Sequence, residues 1–422
     1  MKKIFCALAL VVAATSLPAQ DKVVRKARSL KEDVQNLIAT PERNEKQQAE
    51  LDTKLQQAME MIVPTLTSPE TKKELANAWD VKAQLHKYTF SPLLDNVIKK
   101  EPTDTLKLYN EIVAALDAMQ ECYKVESAGD KEPVYSKINA LDVSRFRQYI
   151  AFCGQMFFQN QQYDMAKQAF VKWMNYAKDY TIVADDATVT NDENTPQIAY
   201  FTCLSSYFAK DYKTLMEYIP QARAYEQEKA NVNQLYITAF IEQGDTVAWI
   251  NACKEIVMDD PNDNEPIAQN VLAYYFGKGE FATAQAFAEE ILAKDADSRI
   301  GNYSKGLVLM NNKDYQNAIT FFDKAAEIDP TYADAYFNAG VCYSNIGYDI
   351  NEALNGKKMT PAQNKVEIEK VKAEYAKAEP YFLKFRELQP EKSDMWASRL
   401  RTIYYILGDK AKEKEMTDIL GD

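Results

Sequence analysis

In residues 312–330, NKDYQNAITFFDKAAEIDP, an Asp-Tyr pair is followed at fixed steps by Ala318, a Phe-Phe pair, Ala325 and a closing Asp-Pro. Those steps are the spacing of one face of a helix, with small and aromatic residues sharing that face. The pattern is not unique. Aligned on Ala318, a 34-residue unit spans 299–332, with further units at 265–298 and from 333 onward. Upstream, 196–229 and 230–264 repeat it with one residue of slippage, and 147–180 is a more distant copy.

The same pattern predicts paired helices. The first helix of a unit brings Gly154, Gly306 or Gly340 to its eighth position, where neighbouring helices approach most closely. The second opens at Tyr163, Tyr212, Phe281 or Tyr315, followed three residues later by Ala166, Ala284 or Ala318. Pro261, Pro330 and Pro390 then close it, because proline cannot continue a helix but suits its exit. Leu215 and Trp249 replace the small residue, and Ala296 replaces the closing proline, so altered packing is expected in those units.

Period and residues together resemble the tetratricopeptide repeat, two antiparallel helices per unit. The resemblance covers about 275 residues and implies an all-α chain, a right-handed α-solenoid of stacked helical hairpins, elongated because each repeat touches only its neighbours. Composition agrees: 12 Gly and 15 Pro in 422 residues leave little to interrupt helices.

Outside the clear units, Thr40-Pro41, Ser68-Pro69, Thr195-Pro196 and Thr360-Pro361 each set a capping hydroxyl before a proline suited to a first turn. Gln363 completes a capping box with Thr360. These signals predict further hairpins at about 22–37 with 42–62 and 70–89 with 104–125. KELANAWDVKAQL, around Trp79, reads as a degenerate first helix. Breaks are expected at 126–134 and 181–195, the latter a polar, acidic surface loop. The organisation is therefore a leader at 1–20, degenerate hairpins at 21–130 and the repeat array at 131–422. Within the array, YDINEALNGKKMTPAQNKVEIEKVKA, residues 348–373, delays the second-helix signature by 26 residues. Both helices are expected to lengthen and project as a hairpin. An exported chain with such a hairpin before a final unit resembles periplasmic repeat proteins of Bacteroidota.

Lys2 and Lys3, the apolar run Ile4–Ala14 and a polar end near Gln20 have the form of a secretory signal peptide, cleaved near Ala19 or Gln20. Cys6 lies inside that apolar run, which disfavours a lipid anchor. Export to the periplasm, with outer-membrane association open, is the expected localisation. No later window approaches the roughly 18 apolar residues of a membrane span. Loss of the two lysines moves the net charge from −12 to −14, opposing nucleic acid and anionic membranes as partners.

Chemistry is sparse. Five cysteines follow the leader, Cys122, Cys153, Cys203, Cys253 and Cys342, with no C-x-x-C, and each reads as a buried free thiol. The single histidine, His86, excludes multi-histidine metal sites and would have to serve any Ser-His or Cys-His arrangement. No phosphate-cradling glycine motif occurs. Acid pairs such as Asp185-Asp186 and Asp259-Asp260 fall in loops or helix ends. No enzyme, metal or cofactor is expected.

The resemblance instead points to the first helices, whose positions 2, 5, 6, 9, 12 and 13 generally face the ligand. Across six units these are 36 positions without one Lys or Arg, where composition predicts roughly four. Only Glu242 and Asp334 are charged, and nine are aromatic: Phe152, Phe158, Tyr200, Phe201, Tyr207, Phe208, Phe276, Tyr303 and Phe337. A basic clamp on an acidic carboxylate is thereby disfavoured. The expected function is a non-enzymatic scaffold that binds a protein or peptide through an uncharged aromatic groove. Candidate contacts are Tyr200, Tyr207, Tyr303 and Phe337, with Gln155, Gln234, Gln269 and Asn338 as polar anchors. Interhelical packing is the competing explanation for the same aromatics. The functional alternative is a glycan-binding component of a polysaccharide-uptake system. Starch-binding outer-membrane proteins share such helices, but they carry a lipid anchor and a large subdomain not evident here.

Overall fold

The computed structural model describes residues 17–40, 43–68, 74–129, 132–179 and 192–421. Within them lie eighteen α-helices, one short 3-10 turn and no strand. In chain order the helices begin with α1 (Leu17–Ile38), α2 (Glu45–Leu66), α3 (Leu75–Ile98), α4 (Thr105–Ser127), α5 (Tyr135–Gln159) and α6 (Tyr163–Asp179). Next come α7 (Thr195–Phe208), α8 (Tyr212–Ala222), α9 (Lys229–Glu242), α10 (Thr246–Asp259), α11 (Glu265–Lys278) and α12 (Phe281–Lys294). The last are α13 (Arg299–Asn311), α14 (Tyr315–Ile328), α15 (Ala333–Glu352), α16 (Pro361–Leu388), α17 (Ser393–Leu407) and α18 (Lys410–Leu420). Two compact units divide the chain, Met1–Ala239 and Phe240–Asp422, so the division falls inside α9. The helices on either side of residue 130 belong to the first unit. Within each unit helices pack mainly on their neighbours in sequence, the arrangement of a TPR-like α-solenoid.

The hairpins close by one recurring device. A residue in the left-handed region follows the first helix, and an acidic or amide residue then opens the second. Gln161, Lys210 and Lys313 occupy that conformation at φ 59°, 58° and 63°, as do Gly244, Gly279 and Gly408. The amide three residues past the helix end turns back to it, as in Asp211 N–H to Ser206 O at 2.8 Å and Asp314 N–H to Leu309 O at 2.9 Å. Asp211, Asp245, Asp314 and Asp409 each accept a backbone N–H from the next helix's first turn. The aromatic after the turn, Tyr163, Tyr212, Phe281 or Tyr315, is therefore the first residue of its helix.

Close approach occurs where the small residues predicted it. A methyl on Gly154, Gly306 or Gly340 would fall within 3 Å of the ring of Phe170, Phe322 or Phe382 respectively. Ala166 and Ala318 are fully buried one turn before Phe170 and Phe322, and Ala284 is likewise fully buried in α12. At the exits, Asp260 and Asp329 are extended before Pro261 and Pro330. Asp295 adopts the same conformation before Ala296, at φ −146° and ψ 104°. The missing proline thus leaves the exit of α12 unchanged, since an extended residue there needs no ring to hold it.

Several predicted starts move. The α2 cap is Asn44, in a capping box with Gln47, not Thr40, whose hydroxyl donates back to Asn36 O. Asn44 offers a carboxamide and a matching Gln three residues on, which the hydroxyl of Thr40 lacks. Thr195 is the first residue of α7 rather than its cap. Thr360 does cap α16, with Gln363 completing the box. Pro41, Pro69, the 181–191 stretch and the leader up to residue 16 lie outside the described residues; α1 begins within the predicted leader, at Leu17.

The long hairpin is present as α15 and α16, 20 and 28 residues. Its base belongs to the core: Val371 and Tyr375 are buried, Ile350 packs against them, and Gly347 lies under the Tyr375 ring. Only the tip, from Asn351 to Lys370, is largely exposed.

Candidate interaction surface

In the first unit the hairpin turns bring aromatics from four helices together. Phe158, in the last turn of α5, meets Tyr163 of α6 at 5.4 Å and Phe201 and Phe208 of α7 at 6.2 and 6.1 Å. Tyr163 and Phe208 stack at 4.7 Å and 22°. Tyr207 continues the run to Phe208 and to Tyr212 of α8. Phe201 rests on the buried ring of Phe170. The ladder is anchored in the core on one side and surfaces on the other, where Phe208 is 47% exposed. Phe152, nearly two turns before Phe158 on α5, is 36% exposed.

Tyr200, midway along α7, touches Phe201 and Tyr225. Burial, then the charge of Glu228, pushes its hydroxyl above the ordinary tyrosine range. Gln234 on α9 is exposed and donates to Thr238 at 2.9 Å. Gln155 on α5 is also exposed. Of the residues selected from the sequence, Tyr200, Tyr207, Gln155 and Gln234 keep accessible surface in this unit. Phe208 and Phe152 belonged to the uncharged aromatic positions but not to that selection. Their signal was position: each lies on the outward side of its helix, while Phe157 and Cys203 point inward and are buried.

The second unit gives a different result. Tyr303 is buried, 5% exposed, between Phe322 and Tyr332, and its hydroxyl accepts a 2.8 Å bond from Asn338 Nδ2. Burial pushes that hydroxyl well above the tyrosine range. Tyr303 and Asn338 are therefore spent on one another, and packing explains the ring. Gln269 donates to Glu265 Oε1 at 3.0 Å, and the same carboxylate takes the Tyr332 hydroxyl. Arg299 joins Glu265 at 3.0 Å and Asp329 at 2.8 Å, with its guanidinium over the Tyr332 ring. This network ties α11, α13 and α15, the first helices of three successive repeats. Phe337 is wedged against Phe382 and Phe385 at 5.6 and 4.9 Å. The predicted groove residues of this unit thus converge on an internal clamp, because rings and amides at helix-A spacing face the neighbouring helix as readily as a ligand.

The thiols and the imidazole among the described residues are buried or engaged. The five described cysteines are free and buried. Burial pushes Cys253 to about 11 and Cys153, Cys203 and Cys342 to about 12, far from the thiolate a nucleophile needs. His86 is half-buried, its Nδ1 2.7 Å from Glu111 Oε2. Among the described residues no group of three His, Cys, Asp or Glu side chains could hold a metal ion, and no helix is long and apolar enough to cross a membrane.

Residues 306–347 match the family model of the TPR repeat. Among solved structures, the chain is similar to the C-terminal part of a TPR repeat-containing protein from Cytophaga hutchinsonii, at 17% identity over 65% of this chain and 93% of that one, with a TM-score of 0.37. A tetratricopeptide repeat protein from Parabacteroides merdae aligns over 75% of this chain and 99% of its own at 9% identity and a TM-score of 0.23. The yeast Sti1 TPR2AB domain, solved as an Hsp90 peptide complex, aligns over 62% of this chain and 98% of its own at 14% identity and a TM-score of 0.24. A comparison with curated protein sequences finds no match.

Proposed function

We propose that this chain is an exported, non-enzymatic scaffold whose aromatic ladder in the first unit receives a neutral or apolar segment of a protein partner. The observation that carries the reading is the run Phe158, Tyr163, Phe208, Tyr207 and Tyr212, rooted in the core yet surfacing at Phe208. Aromatic rings held rigidly by packing offer contact area at low ordering cost, which is what interface anchors need. Gln234 and Tyr200 supply polar contacts nearby in sequence, and the absence of Lys and Arg from the ligand-facing positions favours an uncharged occupant. Export rests on Lys2, Lys3 and the apolar run Ile4–Ala14, with the periplasm as the destination.

Crosslinking in periplasm, followed by capture of the intact chain, identifies the partner. Substituting Phe208 or Tyr207 by Ala then weakens that partner by about 1–3 kcal/mol each, with little change on adding salt because few charges are neutralised. A steep loss of affinity with salt, or unchanged affinity in Phe208→Ala, overturns this reading. Displacement of the partner by soluble glucans would favour the glycan-binding alternative. Recovery of the chain only from the cytoplasm, with its first residues intact, would overturn export.

A further inference from the structure

A cleft of about 640 Å³ opens in the second unit between the second helices of adjacent repeats, α14 and α16. Asp323, Ala326, Glu327 and Pro330 line one side, and Pro380, Tyr381 and Lys384 the other, with Tyr336 of α15 between them. The ladder described above is in the first unit, so nothing in this cleft depends on it.

The charges in the cleft are unbalanced. Asp323 and Glu327 are four residues apart and therefore share one face of α14. Asp323 is half-buried and accepts a 2.9 Å bond from the Tyr381 hydroxyl. Among the described residues neither carboxylate has a cation within ion-pair distance. Lys384, the cleft's own cation, is drawn to Glu387 at 2.8 Å, which is not part of the lining. Burial pushes the Asp323 carboxyl up; the Tyr381 hydroxyl offsets this in part, and Glu327 adds to the rise. A cation placed between the two acids would offset the desolvation of Asp323 and screen the repulsion between the two carboxylates.

The remaining lining fits what such a cation would be attached to. Tyr336 and Tyr381 offer ring faces suited to an alkyl stem or guanidinium. Pro330 and Pro380 are exposed apolar walls on either side. The volume lies mid-range for binding clefts, about 300–1,000 Å³, and leaves room beyond one basic side chain for flanking backbone. We propose that this cleft docks a peptide segment through an arginine or lysine side chain placed between Asp323 and Glu327.

Isothermal titration of the intact chain with acetyl-Ala-Ala-Arg-Ala-Ala-amide tests this. Its citrulline counterpart keeps the shape and removes the charge, and 1,5-diaminopentane supplies a cation without a peptide. The arginine peptide should bind saturably and at least about tenfold more tightly than the citrulline peptide, the weight of a charged hydrogen bond. Asp323→Asn should weaken it by a similar factor, and Lys384→Gln should strengthen it about two- to fivefold. Should Asp323→Asn fail to fold, Glu327→Gln and Lys384→Gln, both at the surface, carry the same test with opposite signs. Equal affinity for arginine and citrulline, no saturable binding, or affinity indifferent to the folded variants overturns the proposal. Diamine binding as tight as the arginine peptide would make this a small-amine site and reject the peptide.

Discussion

Gly306→Ala is the sharpest probe of how the repeats pack. In an isolated helix the change would stabilise by about 1 kcal/mol, since glycine is the poorer helix former. Here the added methyl would stand 2.6 and 2.7 Å from two carbons of the Phe322 ring. That ring is fully buried and already meets Tyr303 at 5.7 Å, so it has no open side to turn into. Overpacking of this kind costs about 1–3 kcal/mol, and it opposes the helix-propensity gain. Gly277→Ala provides the internal control. Gly277 is exposed on α11, with nothing within 4 Å of a methyl, and this change should stabilise by about 1 kcal/mol. Propensity cancels between the two variants, leaving a difference of about 1–3 kcal/mol due to the ring alone.

Urea unfolding followed by circular dichroism measures the difference, and native-state hydrogen exchange locates it. In a repeat array the loss should concentrate in α13 and α14, because units couple chiefly to their neighbours. Phe322→Leu supplies the third corner of a double-mutant cycle. With the flat ring gone the methyl has room, so Gly306→Ala should cost less in that background, giving a coupling of about 1–2 kcal/mol. If Gly306→Ala stabilises as much as Gly277→Ala, or the two substitutions add, then close approach at the glycine is not what sets helix spacing.

Other consequences are equally direct. Lys313→Gly, at φ 63°, should stabilise by about 0.5–1 kcal/mol in thermal melts, the relief of a left-handed residue less the added chain entropy; a loss would show that the lysine makes contacts worth more than its strain. Glu126 accepts the N–H groups of Val134, Tyr135 and Ser136 at 2.8–2.9 Å and so closes the start of α5. Burial raises its carboxyl, but the Ser136 hydroxyl and these N–H groups outweigh burial and hold it below the usual range. Its stabilisation is therefore complete above the ordinary glutamate range and fades as pH falls through the depressed value. Glu126→Gln should cost about 1–2 kcal/mol at neutral pH and flatten that acid-side loss, whereas an unchanged pH profile would mean that the carboxylate is not the cap. Tyr303→Ala should lower stability by about 3–5 kcal/mol without changing partner affinity in the folded fraction; a selective loss of affinity would return Tyr303 to the binding surface. Removing 352–369 with a short reconnection should leave melting unchanged, while extending the cut through Val371 should not, and equal melting for both would deny that the hairpin's base is core.

The fold was legible because its signals are local and repeat. Gly306, Ala318 and Pro330 each occupy a register position fixed by helix geometry, and one copy corroborates the next. The exception is instructive: Asp295 takes the exit conformation without a following proline, held by backbone bonds and by its own carboxylate, which accepts the Asp297 N–H at 3.0 Å, so the proline marks a geometry that other bonds can also impose. The binding surface was less legible because helical period assigns a side chain to a sector of the helix, but not to what occupies that sector. Tyr303 and Tyr207 sit at corresponding kinds of position, yet one is enclosed by Phe322 and Tyr332 while the other continues a ladder to exposed Phe208. That difference depends on Tyr332, the last residue of its own repeat, and Asn338, from the next, closing over Tyr303. The cleft at Asp323 lay further from view still. Its carboxylates read as ordinary solvated helix charges until Tyr381, 58 residues on, is seen donating to one of them. Its lining comes mostly from the second helices of two repeats, away from the first-helix positions that face a ligand in this repeat.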